Sequence, residues 1–309
     1  MRRGREQTQV DPMIANAAPL ASGAELGRLA DQYAFCETLL REHDRDRWLA
    51  CMFAPAQARP RLHALYAFSL EVSRIRESVR DPMPGEIRMQ WWIDAIQGEA
   101  RGDVRSHPVA SALIDTIRRY SLPRAAFTDL VDARRFDLYD DPMPDVKALE
   151  TYCGHTASAL FRLASIILAD GGEPGGAEAA GYAGVAYALT GLLRAFPWHA
   201  ARGQFYAPAD LLEQSGVTPS AALAPPANPG LIAALAALRA LARHRHAEAL
   251  DALARVAPSA RAAFLPLSLV SHYLAAMDRV GYDPFTSRVD IPQWRRQWAM
   301  WRFSKALGK

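Results

Sequence analysis

Apolar and polar positions follow a helical period almost throughout this chain. Alanine and leucine recur at three- and four-residue intervals, and no run of alternating β-branched residues reads as a strand. The pattern predicts an all-α protein of about ten helices. Breaks fall at Asp81-Pro82-Met83-Pro84-Gly85, at Asp141-Pro142-Met143-Pro144, at Gly171-Gly172-Glu173-Pro174-Gly175-Gly176 and across the Pro-rich stretch from Thr218 to Gly230. The repeated Asp-Pro-Met-Pro reads as a helix start used twice, because Asp caps a first turn and Pro tolerates it. Residues 216–230 are the one serious domain-boundary candidate. The helices on either side are amphipathic, each needing a partner for its apolar face, so a single helical domain is expected over residues 24–309.

The ends of the chain carry their own patterns. Met1-Arg2-Arg3-Gly4-Arg5 is followed by Glu6-Gln7-Thr8-Gln9, where a secretory signal would have its apolar core, so residues 1–23 are expected to be a disordered leader. The longest uncharged stretch, Ala179 to Leu193, is shorter than the ~20 strongly apolar residues of a membrane span and reads as a buried helix with close neighbours. Near the C-terminus, Trp294, Trp298 and Trp301 stand at i, i+4 and i+7 among Arg295, Arg296, Arg302, Lys305 and Lys309. Such a stripe suits two situations: a helix over residues 291–307 lying on a membrane surface, or one docked onto the core.

Composition narrows the classes. The chain has 309 residues, half of them apolar and 22% charged, as in a globular protein with a sizeable core. A net charge of +3 is too small to mark a nucleic-acid binder, and no nucleic-acid partner is expected. Cys36, Cys51 and Cys153 are odd in number without paired short spacing, which points to neither a disulfide framework nor a zinc site and favours a reducing compartment. His244 and His246 sit amid Arg243 and Arg245 on what reads as a solvated basic face, because alternate helical residues do not face each other. Tyr66, Tyr187 and Tyr206 read as core aromatics with a hydrogen-bonding tip.

Between Gly184 and Pro208 the chain reads GVAYALTGLLRAFPWHAARGQFYAP. This segment resembles the second signature of the phytoene/squalene synthase family, in which Leu-Arg precedes two aspartates four apart and then Arg-Gly-x-x-Tyr-x-Pro. Leu193-Arg194 and the tail Arg202, Gly203, Tyr206 and Pro208 are present, but Ala195 and His199 occupy the aspartate positions. Leu65-Tyr66-Ala67-Phe68 resembles the lead-in to the family's first aspartate-rich run, where this chain has Ser73 for the first aspartate and Glu77 for the last. The similarity extends from about Tyr33 to Trp301 and takes in Arg59 to Phe68, Trp91-Trp92, Asp132 to Tyr139, and Tyr152-Cys153 with Ala157. Ser158 and Phe161 stand at two family glycine positions beside the prenyl tunnel, which they would narrow. Phe68-x-x-Glu71-x-x-x-Ile75-x-x-Ser78-Val79, Arg88-Met89-Gln90-Trp91-Trp92 and Leu193-Arg194-Ala195-x-Pro197-x-His199 are similar to the branch with degenerate aspartates that includes the mitochondrial complex I assembly factor.

The resemblance implies an isoprenoid-synthase-type helical bundle with a central cavity. Family enzymes hold two prenyl diphosphates through magnesium between acidic helices. Here residues 69–80 carry Arg74, Arg76 and Arg80 against Glu71 and Glu77, and residues 190–206 carry Arg194 and Arg202 against no acid. With unit charges 4 Å apart worth ~4 kcal/mol at an effective dielectric of 20, this reversal favours bare anions over divalent cations. No catalytic or metal-ligand set is therefore assigned. The expected binding residues are Tyr66, Glu71, Ser73, Arg74, Glu77, Asp137, Arg194, His199, Arg202 and Tyr206, for a prenyl diphosphate or another lipid phosphate. Arg194 and Arg202 suit either an anion or acids on neighbouring helices, Glu71 and Glu77 suit pairing with Arg74 and Arg80, and His199 reads as structural for want of a second ligand.

Three functional readings follow. The leading one is a non-catalytic lipid- or prenyl-binding or complex I assembly-type factor without cofactor, with a respiratory complex I subunit and a membrane surface as partners. Its expected place is cytoplasmic, peripheral at the membrane's inner face. The second is an active head-to-head prenyl transferase using Glu77, Asp137, Mg2+ and NADPH, with Asp94, Glu99, Asp132 or Asp137 rebuilding a metal site. The third is a scaffold whose cavity is filled by its own side chains.

Overall fold

The structure, a computed structural model, describes residues 23–308; of the expected leader at residues 1–23 all but Gly23, which begins the first helix, lie outside the described residues, as does Lys309. Every regular element among the described residues is helical. The first layer is built from α1 (Gly23–His43), α2 (Arg45–Cys51), α3 (Arg59–Ser73), α4 (Pro82–Gln97), α5 (Pro108–Arg119) and α6 (Arg124–Arg134). α1, α3 and α5 pack on one another, and α4 lies against α6. Local chemistry sets several of these starts. The carboxylate of Asp44 accepts from the Arg47 amide at 3.2 Å, and His107 Nδ1 accepts from the Ala110 amide at 3.3 Å, each satisfying a free donor of a first turn. α4 stops at Gly98, whose φ of 89° is the left-handed conformation that glycine adopts without a Cβ clash.

The second layer begins with α7 (Val146–Cys153), which widens into a π turn over Gly154–Ser158 and continues as α8 (Ala159–Leu168). Then come α9 (Ala177–Arg194), α10 (Phe196–Ala200), α11 (Ala209–Gln214), α12 (Pro219–Ala222), α13 (Pro229–Ala252), α14 (Val270–Met277) and α15 (Gln293–Leu307), with a 3-10 stretch at Pro258–Leu269 between α13 and α14. α13 packs along α9, so helices on the two sides of the Pro-rich stretch of 218–230 pack directly on each other. The two Asp-Pro-Met-Pro segments differ from expectation. Asp81-Pro82 does begin α4, whereas Asp141–Pro144 carries no regular structure and Asp145 caps α7 through the Ala148 amide at 2.7 Å.

A single apolar cluster runs from Tyr33 on α1 to Met300 on α15. Near its centre Phe68 meets Trp92 and Phe127 edge-on at 5.1 and 5.6 Å, geometry that matches ring edge to ring face. The π turn is seated against α9 by the absence of a side chain. A Cβ on Gly184 would come within 2.2 Å of the Ser158 Cα and N, and the Ser158 hydroxyl donates to the Gly181 carbonyl at 2.8 Å. Ser158 and Phe161, the two residues expected to narrow a tunnel, both pack in this region. Phe161 is buried and stacks on Phe264 at 5.6 Å, leaving a void of about 10 Å³ among Arg47, Tyr66, Ala157, Phe161 and Tyr187. That is at or below the ~10–15 Å³ needed by one water molecule.

Candidate functional site

A polar cleft of about 350 Å³ opens where the end of α3, the end of α6 and the segment after α10 meet. α3 ends at Ser73, whose hydroxyl donates to the Leu70 carbonyl at 2.8 Å, and the chain rewinds into a 3-10 turn at Arg76–Ser78. Ser73, Arg74, Arg76 and Glu77 form one wall. Arg134 at the end of α6 and Asp137 in the following 3-10 turn form the floor, and His199, Arg202, Gln204 and Tyr206, on and beyond α10, form the opposite wall.

Asp137 is the anchor of this site and only 5% exposed. Its carboxylate accepts from Arg134 Nη1 at 3.0 Å and from the hydroxyls of Tyr152 and Tyr206, both at 2.8 Å, while its carbonyl accepts from Gln204 Nε2 at 2.9 Å. Burial pushes the Tyr152 and Tyr206 hydroxyls well above their usual range, so both stay protonated as donors. The His199 ring lies 4.7 Å from that of Tyr206. Burial lowers its imidazole to about 4, opposed by Asp137 and helped by Arg134 and Arg202, so it is neutral near pH 7.

The electrostatics of the cleft are set by arginine. Its lining holds Arg74, Arg76, Arg134 and Arg202 against Glu77 and Asp137. Glu77 lies between Arg74, at 3.6 Å, and Arg202, at 3.5 Å, and Arg76 reaches Asp140 at 3.3 Å. The Nε atoms of Arg76 and Arg134 are buried without a hydrogen-bond partner, so the wall has more donors than acceptors. Magnesium does not fit these residues. Both carboxylates of the lining are engaged by arginines, and among the described residues no three His, Cys, Asp or Glu side chains gather where they could hold a metal ion. Asp94 accepts from Gln90 at 2.8 Å, Asp132 from Arg135 at 2.9 Å, and Glu99 faces solvent. An anion with several acceptor oxygens complements this surface, since guanidinium and phosphate oxygens pair through charge-assisted hydrogen bonds.

The cleft brings together Ser73, Arg74, Glu77, Asp137, His199, Arg202 and Tyr206 from the sequence-predicted set. Three others lie elsewhere. Tyr66 is buried under the Arg47 guanidinium, 5.3 Å above its ring. Glu71 faces α5, where its carboxylate lies 3.5 Å from His107 Nε2 rather than beside Arg74 or Arg80. Burial lifts Glu71 to about 7 and lowers His107, so the contact joins two groups that both lean towards neutrality. Arg194 turns away from the cleft to Asp46 at 3.5 Å, its guanidinium 3.5 Å over the ring of Tyr273. His244 and His246 diverge, the first to Glu248 at 3.6 Å and the second to the Leu267 carbonyl at 3.1 Å.

Sequence reasoning missed Arg76, Arg134, Tyr152 and Gln204 as site residues. Arg134 was findable from its i, i+3 spacing to Asp137, which makes an ion pair along a helix. Arg76 lies in the same arginine-rich run as Arg74. Nothing local marks Gln204, which reaches back 67 positions to the Asp137 carbonyl.

With this geometry in view, comparisons with known proteins fall into one group. The sequence model described as squalene/phytoene synthase matches residues 40–302. The chain is similar to NADH dehydrogenase (ubiquinone) complex I, assembly factor 6, of Rattus norvegicus, at 29% identity over 258 residues, covering 83% of this chain and 77% of the relative. Among solved structures it is similar to squalene synthase HpnC from Alicyclobacillus acidocaldarius, with a TM-score of 0.70, 26% identity, and coverage of 84% of this chain and 97% of the other. A dehydrosqualene synthase in complex with ligand shares the fold at a TM-score of 0.75 and 20% identity, over 91% of this chain and 98% of that one.

Proposed function

The chain belongs to the squalene/phytoene synthase family, and within it we propose a non-catalytic member: a complex I assembly-type factor whose arginine-lined cleft holds a phosphate or diphosphate group without a metal. The observation that carries this reading is the state of the remaining acids. Glu77 and Asp137 are both taken up by arginines, and what they leave over in the cleft is positive charge. Relatives named for complex I assembly support placing the partner among respiratory complex I subunits.

The family's chemistry begins by ionising a diphosphate on magnesium, and the residues of this cleft do not fit that ion. The void beside Phe161, at about 10 Å³, is also too small for a prenyl chain. The ligand is thus held by its phosphate end, from a prenyl diphosphate or another lipid phosphate, with its chain outside the bundle. No helix among the described residues is long and apolar enough to cross a membrane. The location that goes with this reading is peripheral, at the inner face of a membrane.

Titration of the full chain with farnesyl diphosphate by calorimetry, once in magnesium and once in EDTA, tests the proposal. Equal affinity in both, lost by about tenfold or more in Arg74→Gln/Arg202→Gln, is the expected outcome, each arginine–phosphate pair contributing ~1.5–3 kcal/mol. Binding that requires magnesium, or release of diphosphate with a C30 product when NADPH is added, would establish the prenyl transferase reading instead.

A further inference from the structure

α15 turns its tryptophan stripe outward. Its core-facing side is made by Arg296, Ala299 and Met300, while Trp294, Trp298 and Trp301 are 63%, 55% and 46% exposed. Their i, i+4, i+7 spacing keeps the indoles on one outward stripe. Trp298 and Trp301 stack at 5.1 Å, and the Arg295 guanidinium lies 5.1 Å over the Trp294 ring. Arg295, Arg302 and Lys305 are exposed along or beside this stripe, and no acid occurs between Gln293 and Leu307.

The outward direction is fixed from within. Arg296 is 8% exposed, its Nε is 2.8 Å from the Asp46 carboxylate, and its guanidinium also reaches Asp290 and the Tyr273 hydroxyl. Tyr273 in turn donates to Asp46 at 2.6 Å. Rolling α15 to bury its tryptophans would pull Arg296 out of this cluster and leave the buried Asp46 to Arg194 and the Tyr273 hydroxyl alone. The exposed indoles amount to roughly 250–400 Å² on a scale of 150–250 Å² per aromatic side chain. That is the size of the largest apolar patch on a typical globular protein, which is often a functional surface.

We propose that this tryptophan face docks on an anionic lipid bilayer, with the indoles at headgroup depth and Arg295, Arg302 and Lys305 on lipid phosphates. The choice of occupant rests on chemistry. Indoles partition to the interfacial layer, and a helix whose exposed charges are all cationic complements an anionic surface. The inference deepens the peripheral placement above but does not rest on the cleft, whose ligand is read by other residues.

The test is co-sedimentation of the full chain with vesicles of phosphatidylcholine containing about one-third phosphatidylglycerol, and with phosphatidylcholine alone. Binding to the anionic vesicles is expected to be about tenfold tighter or more, at roughly fivefold per cation, and to weaken at about 0.5 M salt. Trp298→Ser should lose several-fold and Trp294→Ser/Trp298→Ser/Trp301→Ser tenfold or more, with melting temperatures unchanged because these side chains face solvent. Arg302→Glu/Lys305→Glu should abolish the preference for anionic lipid. Brominated lipid should quench the tryptophan emission of the wild type. The proposal is overturned if the wild type ignores anionic vesicles, or if the tryptophan substitutions leave binding unchanged. It is equally overturned if light scattering shows a dimer that those substitutions dissolve while vesicles have no effect. Vesicle binding lost in Arg74→Gln/Arg202→Gln but kept in the tryptophan variants would move the contact to the cleft.

Discussion

Replacing Asp137 by Asn asks what the acid under the cleft is for. The carboxylate is 5% exposed and accepts from Arg134, Tyr152 and Tyr206 at 3.0, 2.8 and 2.8 Å. Asn keeps the shape and one acceptor, but removes the charge and turns an NH2 towards groups that are themselves donors. Removing one side of a buried ion pair costs ~3–5 kcal/mol. One acceptor survives and the Arg134 side chain is 19% exposed, so ~2–4 kcal/mol is the expected loss. At ~2–4 °C per kcal/mol for large domains, the melting temperature should fall by roughly 5–15 °C. Thermal and urea denaturation would be run in EDTA and again with magnesium, expecting the same loss in both. A metal ligand would behave in the opposite way. If Asp137 were held in readiness for magnesium, Asn would leave the EDTA form as stable as wild type or more so, and would erase a stabilisation by magnesium in the wild type. That pair of results would refute the pairing argument and with it the metal-free reading of the cleft.

Glu71 and His199 should give pH dependences of opposite sign. Burial raises Glu71 to about 7, so the native state holds its proton more tightly than the unfolded chain, and stability is lost as pH rises from about 4.5 through 7. Glu71→Gln should match wild type near pH 4, where both are neutral, and exceed it by ~1–3 kcal/mol at about pH 8 in urea titrations. His199 is depressed to about 4, so its contribution is present above about 6.5 and lost as pH falls through 4. His199→Gln should flatten that acid limb by up to ~3 kcal/mol, and an unchanged limb would show that the imidazole is hydrated. Gly184→Ala should destabilise by ~2 kcal/mol or more, because its Cβ meets Ser158 backbone 2.2 Å away, whereas Gly181→Ala has open space and should be neutral or slightly stabilising. Equal melting temperatures for the two alanine variants would mean that the π turn can yield.

Local order was legible wherever the physics is local. The helical period gave the all-α reading, and the recurring strings around Leu65-Tyr66-Ala67-Phe68 and Leu193-Arg194 carried the family resemblance. Short stretches of chain also marked much of the cleft. Ser73, Arg74 and Glu77 reach it together because they follow one another through the end of α3 and its 3-10 turn, and Arg202 and Tyr206 because they leave α10 as one segment. Substitution of Ala195 and His199 for acids was enough to suggest a site without magnesium ligands.

Direction and long-range partnership were not legible in the same way. Arg194 and Arg202 look alike in the sequence, yet one is drawn to Asp46 and Tyr273 and the other to Glu77. Glu71 and Glu77 lie on one arginine-rich run, yet α5 offers His107 to the first. The stripe of Trp294, Trp298 and Trp301 was equally compatible with core and surface. Amphipathic spacing establishes which side chains share a face, because that depends on backbone geometry over a few residues. Which way the face points depends on charges brought from far along the chain: Arg296, on the core-facing side of α15, is held by Asp46 of α2 across the fold, and no residue near the stripe in sequence records that pairing.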